Sequence, residues 1–181
     1  MKNDLIAVVL TFKGKLNDNF FKIKKIFSEN DINYLNKKSA KPHLTIASGH
    51  INKNKILKLC QKLKKKRMKY LKLRSIGLNM ILSNEPLIYI KWNLDDDLIN
   101  FHEDINIVCK EFFKDKSINS SLNNWLPKTS LAYKDISYTK LPRIMKQLKK
   151  FDLYKSVKAE NLEIMEITQA GEKTINKIKL V

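Results

Sequence analysis

Residues 42–47 read PHLTIA, and 85 positions on, residues 127–132 read PKTSLA. Laid over one another, Pro127 falls on Pro42, Ser130 on Thr45, Leu131 on Ile46 and Ala132 on Ala47, while Lys128 takes the place of His43. The pair matters for the fold because its surroundings match too. Before the first copy, LIAVVLTF (5–12) is a near-continuous apolar run of strand length, and from about Asp18 the residues Phe20, Ile23 and Phe27 recur at helical spacing. After it, Ile56, Leu59, Cys60 and Leu63 fall at i, i+3, i+4 and i+7, which predicts a helix with one apolar side and a basic remainder.

The second copy has the same setting. Residues 68–82 and 87–93 read as strands broken by the turn signal SNEP. Asp95, Asp96 and Asp97 open a helix, where negative charge complements the N-terminal dipole, and Leu98, Phe101, Ile105, Val108 and Phe112 form its buried stripe. A polar loop, KSINSSLNN, leads to WLPKTSLAY, and Leu141, Ile144, Met145 and Leu148 mark another helix with Pro142 in its first turn. Strands at about 156–168 and 173–180, joined by QAGE, close the chain. Strand, helix, motif strand, helix, strand thus occurs twice, the pattern of a duplicated α/β or α+β unit with a pseudo-twofold axis.

On a strand, residues two apart share a face, so His43, Thr45 and Ala47 point one way and Leu44 and Ile46 the other. Lys128, Ser130 and Ala132 repeat the arrangement. If the halves pack symmetrically, an imidazole, an ammonium and two hydroxyls meet one ligand. That set suits a phosphodiester, whose cleavage needs a base, an acid and donors for the phosphoryl oxygens, and it needs no metal or other cofactor.

With these two strands, the sequence resembles the 2H phosphoesterase superfamily, which includes proteins called 2'-5' RNA ligases or RNA cyclic phosphodiesterases. The superfamily carries two H-x-[TS] motifs on a bilobal, duplicated fold. The resemblance implies an α+β fold of two antiparallel-rich sheets with flanking helices around a central cleft, residues 1–181 forming one domain of two lobes. It further implies that His43 is an acid-base residue and that Thr45 and Ser130 bind phosphate. Lys128 departs from the pattern by replacing the second histidine. An unperturbed lysine is neutral only about one time in 2,500 at pH 7, so Lys128 is a poor base, but its cation can hold a phosphoryl oxygen or protonate a leaving group while His43 acts as base.

The charge agrees with such a substrate. The formal net charge is +18, and between Asp31 and Glu85 there is no acidic residue, while Lys37, Lys38, Lys41 and eleven basic residues from Lys53 to Arg74 fill the gap. A field of this kind attracts polyanions. The expected activity is hydrolysis of 2',3'-cyclic or 2',5'-linked phosphodiesters on RNA ends or small nucleotides, by a monomer. The alternative is a catalytically silent RNA- or nucleotide-binding module, and a weaker one is a basic domain with a protein partner. Cys60 and Cys109 lie in apolar helical patterns without zinc-type spacing and read as buried free thiols of a cytoplasmic protein. No apolar run approaches a membrane span. Of the other histidines, His50 reads as a cap or surface residue and His102 as the edge of a packed stripe; Trp125 and Tyr133 read as core.

Overall fold

A computed structural model of the chain describes residues 3–37, 41–115, 117 and 121–181. Lys38 and residues 116 and 118–120 of the polar loop lie outside the described residues. The chain runs β1 (Asn3–Phe12), α1 (Lys15–Ser28), α2 (Tyr34–Lys37), β2 (His43–Asn52), α3 (Ile56–Lys65), β3 (Leu71–Ile81), β4 (Leu87–Trp92), α4 (Asp96–Lys110), β5 (Lys128–Tyr133), α5 (Leu141–Leu148), β6 (Ser156–Thr168) and β7 (Gly171–Lys179). Every strand and every long helix expected from the sequence is present. The four-residue α2 has too few residues to show a period, and α1 begins at Lys15 rather than near Asp18.

All strand pairs are antiparallel, in the order β2-β1-β6-β3-β4-β5, with β7 on the outer edge of β6. The two expected sheets are joined through the start of β6, where Ala159 pairs with Phe12 on one side and Leu71 on the other. The order reads the same from either end if β1, β2 and β3 are exchanged for β4, β5 and β6. Each motif strand therefore lies beside the first strand of its own half, and that strand pairs in turn with the third strand of the other half. The helices cross over as well: α1 packs on β5 and α4 on β2.

Apolar alternation explains which faces meet. In β1, Ile6, Val8, Leu10 and Phe12 join the large core shared by both halves, whereas Ala7 and Val9 form a small cluster with Met165 on the opposite face. A strand buried on both faces reads as a continuous apolar run, which is why LIAVVLTF showed no alternation. Helix α4 is capped by Asp95, whose side chain accepts from the Leu98 N–H at 3.0 Å. Cys60 and Cys109 are both buried, and burial pushes the Cys60 pKa up.

Gly49 of β2 lies under Phe113: a Cβ there would stand 2.8–2.9 Å from that side chain. Gly49→Ala is expected to destabilise the fold by about 1–3 kcal/mol through overpacking. The midpoint of a denaturant titration checks this, and an unchanged midpoint would show that Phe113 can yield.

Candidate active-site cleft

The two motif strands carry the same irregularity. In the β1/β2 ladder Val8 pairs with Ala47 and Val9 with Thr45, so Ile46 bulges; in the β4/β5 ladder Ile88 pairs with Ala132 and Tyr89 with Ser130, so Leu131 bulges. Ile46 and Leu131 are the corresponding residues of PHLTIA and PKTSLA. Both bulged residues are buried, and so are the alanines that follow them.

A bulge inserts one residue and shifts the alternation of faces. The expectation that Ala47 and Ala132 face the ligand with His43 and Lys128 is therefore corrected: Ala47 and Ala132 enter the core, and Ser48 lines the cleft instead. His50 is exposed on β2 and lines neither cavity described below.

His43, Thr45, Lys128 and Ser130 all line one cavity of about 200 Å³, with Ser48, Ser117 and Trp125. A second cavity of about 240 Å³ shares His43, Thr45, Ser48 and Ser130 and extends to Tyr34, Lys41 and Glu172. Either alone is smaller than a usual ligand pocket of roughly 300–1,000 Å³. Sharing those residues, they form one cleft.

Polar bonds between the halves hold its walls. Thr129, on the core-facing side of β5, donates from Oγ1 to the His43 carbonyl at 2.8 Å and accepts from Trp92 Nε1 at 3.0 Å. Trp125 Nε1 donates to the Thr45 carbonyl at 2.9 Å, and its ring stacks on buried His102 with centroids 4.0 Å apart. Trp125 is thus core and cleft wall together. Thr129→Val keeps the shape but leaves the indole N–H and the carbonyl without this partner, at an expected cost of about 1–3 kcal/mol each. The thermal melting midpoint should fall; an unchanged midpoint would mean that the bridge does not hold the strands.

The ring of His43 is oriented from behind. Nδ1 lies 2.9 Å from the Lys41 carbonyl, which can only accept, so Nδ1 carries the proton and Nε2 of the neutral ring is left as the acceptor. Glu172 Oε2 is 3.8 Å from the same Nδ1. Across the cleft, burial holds the Lys128 pKa below the ordinary lysine range, and among the described residues no carboxylate forms an ion pair with it. A part-buried cation without a counter-ion favours an anionic ligand.

Besides Ser48, the polar cleft residues absent from the sequence expectations include Tyr34 and Glu172. Tyr34 enters on α2 and is hydrogen-bonded to Ser130; burial first, then the charge of Glu172, pushes its pKa up, so it remains a neutral phenol. The Asn33 N–H donates to Asp135 Oδ2 at 2.7 Å, tying the start of α2 to the loop after β5. Glu172 is the last residue of QAGE and the second of β7. Among the described residues no cluster of three His, Cys, Asp or Glu side chains could hold a metal ion, and no helix is long and apolar enough to cross a membrane.

Comparison with known proteins shows the fold but no near relative in sequence. No protein-family model matches the chain, and no curated protein matches it in sequence. Among solved structures, E. coli LigT in apo form superposes with a TM-score of 0.68 over 100% of this chain and 99% of that one, at 10% identity. A crystal structure described as a phosphoesterase gives 0.64 over 99% of both chains at 9% identity. Kluyveromyces marxianus Usb1 with uridine monophosphate gives 0.53 over 98% of both chains at 9% identity. The mixed α/β fold with an antiparallel sheet that the sequence led one to expect is the fold observed, and it matches that of LigT.

Proposed function

We propose that this chain is a 2H-type phosphoesterase that hydrolyses 2',3'-cyclic or 2',5'-linked phosphodiesters of RNA ends or small nucleotides, residues 1–181 acting as one duplicated domain. The observation that carries the reading is the meeting, in one cleft, of His43, whose Nδ1 proton the Lys41 carbonyl holds, and Lys128, with which no carboxylate of the described residues forms an ion pair. In the proposed reaction His43 Nε2 takes a proton from water as the water oxygen bonds to phosphorus. The bond from phosphorus to one ribose oxygen breaks, and that oxygen receives a proton from the Lys128 ammonium or from solvent while Lys128 holds the phosphoryl group. Thr45 and Ser130 donate to the phosphoryl oxygens, and Tyr34 orients the Ser130 hydroxyl.

Neighbouring structures support a nucleotide ligand: LigT has been crystallised with 3'-AMP and Usb1 with uridine monophosphate. One observation favours a second reading. Lys128 stands where a second histidine would complete the acid-base pair, and a cleft that binds phosphate without turning it over would need only the cation. Steady-state hydrolysis of adenosine 2',3'-cyclic phosphate, together with titration of 3'-AMP, separates the two. Turnover supports the enzyme, binding without turnover supports the silent module, and neither refutes both.

A further inference from the structure

We infer that the cleft continues into a second subsite, built around Glu163, that takes the guanine base of the nucleotide 5' to the one carrying the scissile phosphate; the inference rests on the phosphoesterase reading and names its substrate more narrowly. Glu163 lies in the middle of β6 and is only 3% exposed, an unusual place for a carboxylate. Its Oε1 accepts from the Thr11 hydroxyl at 3.1 Å and its Oε2 from the Thr174 hydroxyl at 2.9 Å. The ammoniums of Lys177 and Lys41 stand 3.8 and 3.9 Å away, within ion-pair range but beyond hydrogen-bond distance. A carboxylate has about four lone-pair sites, so roughly two stay open to further donors.

Glu163 lines a cavity of about 320 Å³ with Thr11, Phe21, Lys41, Asn161 and Lys177. The cavity adjoins the His43 cleft in two ways. Lys41 lines both, and Thr11 is the register partner of His43 in the β1/β2 ladder, with such partners about 4.5–5.5 Å apart at Cα. One nucleotide step beyond the phosphate at His43 therefore leads here.

The chemistry of the lining selects the occupant. An acceptor-only group needs N–H donors, and the paired N1–H and N2–H of guanine present two in a flat fork, whereas adenine presents one amino group. Phe21 is a 47% exposed aromatic that offers a stacking surface, and Lys41 and Lys177 flank the cavity with charge for the backbone. Those same lysines disfavour a cationic peptide and favour a phosphodiester chain.

The test is an equilibrium titration of the full chain with three probes: 3'-AMP, and 3'-phosphorylated dinucleotides with adenine at the 3' position and guanine or adenine at the 5' position. The guanine dinucleotide should bind at least about tenfold more tightly than the other two. Glu163→Gln, which replaces one acceptor by a donor, should remove that preference and leave 3'-AMP affinity unchanged. Phe21→Ala, an exposed substitution that spares the buried network, should weaken both dinucleotides several-fold. Equal affinity for the two dinucleotides, or a guanine preference that survives Glu163→Gln, overturns the subsite while leaving the cleft reading intact. No binding by any probe overturns both.

Discussion

His43→Ala is expected to lower kcat on a 2',3'-cyclic nucleotide by about 10²- to 10⁴-fold, the usual contribution of one acid-base group, with the fold retained. The side chain lines the cleft, while the backbone carbonyl that receives the Thr129 bond survives the substitution. KM should change much less than kcat, because Thr45, Ser130 and Lys128 remain to hold the phosphate. An activity unaffected by His43→Ala would sink the assignment of the base.

Lys128→Ala is expected to have an effect of similar size for a different reason, since it removes a part-buried positive charge that no carboxylate of the described residues pairs with. Both kcat and phosphate affinity should fall. Lys128→Arg separates the two roles open to this residue: arginine keeps the charge but does not deprotonate, so near-normal activity means a clamp and a large loss means a proton donor. The pH profile has a definite sign. The ammonium is the working form in either role, so activity falls as pH rises through the Lys128 pKa. Burial lowers that pKa, and the alkaline limb therefore comes below the range of an ordinary lysine. Lys128→His should move that limb further down, toward neutrality. A limb at the ordinary lysine position would show that Lys128 is not the group being titrated.

The same burial enters stability. A lysine with a lowered folded pKa binds fewer protons folded than unfolded, so its cost is full below the folded pKa and is relieved as pH rises toward 10.5. Bound phosphate supplies the missing counter-charge and should offset that cost near neutral pH.

How far the sequence led can be judged from individual residues. His43, Thr45, Lys128 and Ser130 were legible because their neighbours repeat, and the structure brings all four to one cleft. Ser48 was not, because strict alternation has no room for the residue that bulges at Ile46. Tyr34 belongs to a helix of four residues, and Glu172 is far from either motif in sequence. Both reach the cleft only through long-range packing, for which local pattern carries no signal. Helix α3 shows the opposite case: its apolar stripe was plain, and Ile56, Leu59, Cys60 and Leu63 are its buried residues. Two of its neighbouring lysines are not loose charge, since Lys62 pairs with Glu111 and Lys66 with Asp104.

The crossed strand order bears on how the chain reaches this shape during synthesis. β1 lies between β2 and β6, so one edge of LIAVVLTF has no partner until residues 159–167 have left the ribosome. At about 5–20 residues per second, that edge stays open for roughly 10 to 30 seconds. An apolar open edge invites pairing with other chains, and such long-range pairing slows folding. Repulsion between chains that each carry a formal charge of +18 opposes such pairing.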